Sequence, residues 1–118
     1  MPNESEHEYL ARALPELQAL LESLDALEDV PLEVELANDI LEIGFEDGSK
    51  YVVNSHRAAR QLWMAAERSA WHFEWDPSRG RWTATKTGDE LWETLAQVLG
   101  RKLGRDVGLA RGAGPAID

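Results

Sequence analysis

The 118-residue chain carries 22 acidic and 12 basic side chains, a formal net charge of −10 with neutral histidines. It is 43% hydrophobic and lacks cysteine, which excludes wholesale disorder, disulfides, thiolate metal sites and thiol nucleophiles. No run approaches the ~18 apolar residues of a membrane span, and a pI near 4.7 argues against nucleic acid as a partner, since a duplex selects clustered Lys and Arg.

The start, Met1-Pro2-Asn3-Glu4-Ser5-Glu6, is acidic with no apolar stretch behind it, which predicts neither a secretory signal nor an Arg-rich transit peptide. The charge is unevenly spread. Residues 1–50 hold 14 acidic side chains against Arg12 and Lys50, whereas residues 51–118 hold eight acidic and ten basic. The whole surplus therefore belongs to the first half.

In chain order, residues 4–28 read as an amphipathic helix. Leu10, Leu14, Leu17, Leu21 and Leu24 recur at spacings of four and three and fall on one face. Asn3 or Ser5 would cap its start. Pro15 removes a hydrogen bond and crowds the preceding turn, so a kink or a frayed first segment is expected there. After Pro31 the period becomes two: Leu32, Val34 and Leu36 alternate with Glu33 and Glu35. Ala37-Asn38-Asp39 turns the chain into Leu41, Ile43 and Phe45, and Glu46-Asp47-Gly48 is a hairpin signal leading to Lys50–Val53. Asn54 to Arg60 is polar and reads as a connection. Gln61–Ala66, Trp71–Trp75 and Arg81–Lys86 supply further strands, with Asp76–Gly80 as a loop. Thr87-Gly88-Asp89-Glu90 has the form of a capping box. It opens a helix whose apolar face is Leu91, Trp92, Leu95, Val98, Leu99 and Leu103, ended by Gly104. The fold class that follows is α+β: a two-layer sandwich, with an antiparallel sheet of about six strands covered on one face by the N- and C-terminal helices. Residues 1–104 form a single domain and 105–118 a loosely ordered tail.

Catalytic motifs are absent: no phosphate-cradling loop, no Gly-x-Ser-x-Gly, no His-Glu-x-x-His, and only the scattered His7, His56 and His72. Two surfaces remain. Glu22, Asp25 and either Glu28 or Asp29 share a face of the first helix, and Glu33 and Glu35 take the wet side of the first strand. Together they would make a weak and unselective ridge of hard oxygen ligands for a divalent cation such as Mg, Ca, Mn or ferrous iron, a docking face for a basic partner, or merely a solvated acidic surface. The second is aromatic. Trp82 and Trp92 suit the core, and Trp71, Phe73 and Trp75 share a face opposite His72 and Glu74. With Leu62 and Met64 inward, Gln61 and Trp63 turn to the open side of the sheet beside Asn54, as a partner surface or as packing.

The segments Phe45–Asn54, Gln61-Leu62-Trp63-Met64-Ala65, Trp71-His72-Phe73-Glu74, Trp82 and Thr87–Leu95, in this order, resemble the frataxin family, and its bacterial CyaY branch in particular. The likeness runs from about residue 5 to 104. It implies a cytoplasmic, non-enzymatic protein of iron–sulfur cluster assembly that binds ferrous or ferric iron weakly. It also implies docking on the cysteine desulfurase and its scaffold protein, as a monomer able to form oligomers with iron. The metal ridge carried over by position is Glu22, Asp25, Glu28, Asp29, Glu33 and Glu35, with Glu46 as a further member. Asn54, Gln61, Trp63 and His72 fall on the partner surface. A ferroxidase role would want an inward di-iron cage that this pattern lacks. Three departures from the family stand out: Ser69-Ala70 where a Gly or Gly-Pro step is usual, a longer loop at Asp76–Gly80, and a His7 that does not align with the family's early-helix histidine.

Overall fold

The computed structural model describes residues 5–109. Helix α1 spans Glu6–Asp25. Ser5 is its cap: the hydroxyl accepts from Glu8 N at 3.0 Å and the Glu8 carboxylate accepts from Ser5 N at 3.0 Å, so two orphan amides are satisfied reciprocally. Asn3 lies outside the described residues. The helix is assigned without a break through Pro15, and the capping box holds the first turn that the sequence left frayed. Pro15 is exposed, so its ring faces water and displaces nothing from the core, although the helix still forgoes one amide hydrogen bond and crowds the carbonyl four residues earlier. The buried stripe is Tyr9, Ala13, Leu17, Leu20 and Leu24 rather than the leucine row. Leu14 is 38% exposed, and Leu10 and Leu21 only flank the core. A helix buries a stripe, not a residue type, and the small Ala13 lets α1 approach the sheet where Leu14 would hold it off.

The strands are β1 (Leu32–Ala37), β2 (Ile40–Phe45), β3 (Lys50–His56), β4 (Gln61–Ala66), β5 (Ser69–Asp76) and β6 (Arg81–Ala84), followed by α2 (Leu91–Leu103). They form one antiparallel sheet in the order β1-β2-β3-β4-β5-β6, which is the expected α+β meander. Asn38 and Asp39 both have positive φ, 54° and 64°, matching the two-residue turn whose twist suits a hairpin. Gly48, at φ 88°, closes the next one.

Several boundaries differ from the sequence reading: α1 stops at Asp25 rather than 28 and β6 at Ala84 rather than Lys86, and three others have a visible cause. β3 continues through Asn54, Ser55 and His56, because these pair with Trp63, Leu62 and Gln61 of β4; ladder hydrogen bonds override their polarity. β5 begins at Ser69, with no break at the Ser69-Ala70 step. The cap of α2 is Glu90, whose carboxylate accepts from Glu93 N at 3.0 Å. Thr87 bonds Asp89 instead, and a bridge between Thr83 and Glu90 keeps the chain extended up to the helix. Gly104, in the left-handed region at φ 71°, ends α2.

Both helices cover one sheet face. Leu41, Ile43, Val53, Leu62, Met64, Phe73 and Trp82 point into that layer and are buried. Trp82 is wholly enclosed, edge-on to Tyr9 at 6.0 Å and to Trp75 at 5.8 Å. The Tyr9 hydroxyl donates to the Gln61 carbonyl at 2.6 Å and bonds Ser55 Oγ at 2.7 Å, tying α1 to β3 and β4. Trp92 Nε1 donates to Glu16 and joins the helices. Past α2, Val107 and Leu109 rest against the core and Arg105 donates to the Asp29 carbonyl at 3.0 Å. The tail from residue 110 lies outside the described residues. No helix among the described residues is long and apolar enough to cross a membrane.

Candidate functional site

The acidic residues do not share one helix face. Because α1 ends at Asp25, only Glu22 and Asp25 are helical; Glu28 and Asp29 lie in the connection to β1, Asp29 at φ 60°. The chain leaves the helix at Ala26, whose amide bonds the Glu22 carbonyl, so the i, i+3 spacing stops carrying positional meaning there. Glu33 and Glu35 project from the outer face of β1, the edge strand, and Glu46 sits in the β2–β3 turn. All seven carboxylates are exposed.

What unites them is lack of neutralisation. Glu22 accepts a hydrogen bond from Gln18 at 3.2 Å, and none of the seven forms an ion pair among the described residues. Some carboxylates elsewhere are matched to cations, Glu42 to Lys50 (3.3 Å), Asp39 to Arg57 (2.7 Å), Glu67 to Arg101 (3.0 Å) and Asp47 to Lys102 (2.6 Å), whereas Glu74, Asp76 and Asp89 are held, among the described residues, by hydrogen bonds alone. Glu33 and Glu46 line one shallow depression of about 430 Å³, beside Gly44 and Lys50. Glu33 and Glu35 line an adjoining one of about 190 Å³ with Glu42. Glu42, itself paired with Lys50, is a neighbour of this set that the sequence reading did not name, though its place opposite Glu35 follows from strand alternation and the hairpin register. Among the described residues no three His, Asp or Glu side chains converge as a chelate. Dispersed carboxylate oxygens suit hard cations held by few ligands at a time, and they exert a field on any basic surface. Another depression, about 630 Å³ at the end of α2 around Gly100 and Arg101, touches none of these residues.

The second surface is the uncovered sheet face. Cross-strand register places Ile40, Asn54, Trp63 and His72 in one transverse row. Trp63 is half-buried with its ring between two imidazoles: His56 at 3.9 Å and 12°, His72 at 4.2 Å and 11°. Its Nε1 donates to Gln61 Oε1 at 2.7 Å, and Gln61 Nε2 donates to Glu74 Oε2 at 2.8 Å. Asn54 bonds the Ser55 carbonyl through Nδ2 at 3.1 Å. Asn54, Gln61, Trp63 and His72 therefore do lie together. His56 and Glu74 belong with them; His56 was hidden because Asn54–Arg60 reads as loop, although it continues the alternation of Lys50, Val52 and Asn54. His7 stays apart, exposed in the first turn of α1.

This arrangement, two helices on one face of an open six-stranded antiparallel meander, is a frataxin fold. Frataxin from Psychromonas ingrahamii superposes with a TM-score of 0.81, covering 92% of this chain and all of that one at 18% identity. Trimeric yeast frataxin complexed with ferrous iron gives 0.57 at 22% identity, over 89% and 90% of the two chains. A family model described as a frataxin-like domain matches residues 2–105. The iron–sulfur cluster assembly protein CyaY of Cupriavidus metallidurans is 36% identical over 107 residues, 88% of this chain and 95% of the relative. That of Azotobacter vinelandii is 38% identical over 85 residues, 70% and 77% of the two. The chain belongs to the frataxin-like family, in its bacterial CyaY branch.

Proposed function

We propose that this protein is a cytoplasmic, non-enzymatic component of iron–sulfur cluster assembly that binds iron weakly and docks on the cysteine desulfurase and its scaffold. The observation that carries this reading is the concentration of exposed carboxylates without ion pairs among the described residues, Glu22, Asp25, Glu28, Asp29, Glu33, Glu35 and Glu46, between the end of α1, the edge strand β1 and the β2–β3 turn. Their repulsion costs stability, which a binding role offsets. The names of the CyaY relatives support the pathway, and the ferrous complex of yeast frataxin supports iron as cargo. With no convergent chelate among the described residues, iron is held by pairs of exposed carboxylates in fast exchange. The same oxygens steer the protein onto a basic surface, and the open sheet face around Asn54, Gln61, Trp63 and His72 completes the contact. The protein acts as a monomer and associates further only with iron.

The missing chelate also favours a second reading, an acidic adaptor on this fold with no metal role. One experiment separates them: titrating ferrous iron into the wild type and a Glu22→Gln, Asp25→Asn, Glu33→Gln, Glu35→Gln variant while following amide shifts, alongside affinity for a desulfurase–scaffold complex. The proposal expects shifts confined to residues 22–35 and 46, absent in the variant, and docking weakened at least tenfold. Docking lost with no iron-induced shift in the wild type at submillimolar iron identifies the adaptor. Docking that survives neutralisation overturns the ridge altogether.

A further inference from the structure

The geometry points to His56 and His72 as positioning residues that clamp Trp63, so that the indole meets a partner only along its outer edge. The inference rests on the docking role proposed for this sheet face. It begins with how much of Trp63 is already used. One ring face is covered by His56, with centroids 3.9 Å apart and planes 12° from parallel, and the other by His72, at 4.2 Å and 11°. The only polar atom, Nε1, is spent on Gln61 Oε1 at 2.7 Å, and Gln61 is in turn fixed by Glu74 at 2.8 Å.

The two imidazoles arrive by different routes. His72 stands directly opposite Trp63 in the β4–β5 register. His56 does not: its direct partner is Gln61, and the residue opposite Trp63 on β3 is Asn54. The His56 ring therefore reaches Trp63 along the diagonal, a distance that ring side chains span and short ones do not. Its orientation is set from the turn, where Ala59 N donates to His56 Nδ1 at 3.3 Å, which leaves the proton of the neutral ring on Nε2. His56 is half-buried and His72 exposed, so neither is needed to fill the core beneath.

A ring free on a sheet surface samples several rotamers, and a partner must immobilise it at an entropic cost. The clamp removes that cost beforehand. It also removes stacking as a mode of recognition, because no face is left for a partner's ring or guanidinium. The remaining edge carries the positive part of the ring quadrupole. Beside it lies an aliphatic strip on the same sheet face, Ile40 (40% exposed), Val52 and Ala65. The partner segment that fits is aliphatic, with backbone carbonyl oxygens turned to the indole edge.

The test pairs a spectroscopic readout with an affinity, on the full chain. The indole N–H resonance of Trp63, assigned by its loss in Trp63→Phe, is followed in a His56→Ala, His72→Ala variant and in a His56→Phe, His72→Phe variant. Binding is measured to purified desulfurase–scaffold complex from Cupriavidus metallidurans. The alanine pair is expected to shift and broaden the Trp63 resonance while leaving the Trp82 and Trp92 signals in place, and to weaken binding about tenfold. The phenylalanine pair, which keeps two flat rings, is expected to restore both. A Trp63 resonance unchanged in the alanine pair overturns the clamp, as does tighter binding by His72→Ala, which would make that imidazole a cover to be displaced. If Trp63→Ala leaves binding unchanged, the docking role of the face fails, and the resonance alone still decides whether the clamp exists.

Discussion

Asp47 occupies the β2–β3 turn with Lys102 Nζ 2.6 Å from one carboxylate oxygen and the Ser49 hydroxyl 2.6 Å from the other. The ammonium, then the serine hydroxyl and amide, hold its carboxyl well below the usual range. Glu67, held by Arg101, and Asp76, held by Ser78, are lowered likewise. A carboxyl whose folded pKa lies below its unfolded value stabilises the fold fully above the ordinary carboxylate range, and that contribution is lost as pH falls through it. Tyr9 and Tyr51 are displaced in the other direction, raised by burial. Their contribution is complete below the ordinary phenol range, at about pH 10, and is lost as pH rises beyond it. Replacing Asp47 with Asn is therefore expected to flatten the fall in stability between about pH 4 and 2. Urea unfolding at a series of pH values checks this.

Within the elements, α1 tolerates a proline nine residues past its first helical position because packing, not propensity, holds it. Tyr9, Leu17, Leu20 and Leu24 are buried on its inner face, whereas Pro15 is on the wet side. The chain nonetheless forgoes one amide hydrogen bond to the Ala11 carbonyl. Restoring it with Pro15→Ala is expected to raise stability by about 1–3 kcal/mol, the helix-interior penalty less the entropy that proline removes from the unfolded chain. Denaturant unfolding of the two proteins reads the difference. An unchanged midpoint would mean that the helix already bends to solvate that carbonyl.

Across the whole molecule, the acidic excess of residues 1–50 becomes a one-sided field along the edge of the sheet. Raising the ionic strength from about 10 to 150 mM shrinks the screening length from about 30 to 8 Å. Repulsion along the ridge should then weaken more than the exposed ion pairs, which are worth little, so Tm is expected to rise by about 2–5 °C. Docking on a basic partner is expected to weaken over the same range. Opposite signs for folding and docking, read by thermal melts and binding titrations in the same buffers, are the signature of a surface whose charge is kept for an intermolecular use. A Tm insensitive to salt would show that the carboxylates are too far apart to repel.

The sequence by itself determined the layer order, the six-stranded meander, the inward set Leu41, Ile43, Leu62, Met64, Phe73 and Trp82, and the acidity of the first half. Alternation, turn residues and charge are local, so short-range physics writes them directly into the order of residues. It placed Glu33 and Glu35 on the wet side of β1 and Trp63 on the open face for the same reason. Only the tertiary structure decided where α1 stops, which face of it is buried, and that Glu28 and Asp29 leave the helix. It alone extended β3 far enough to lay His56 on Trp63. These outcomes depend on cross-strand register and on the fit of Ala13 and Tyr9 against the sheet. Both are set by residues distant in the chain, whose contacts no local pattern records.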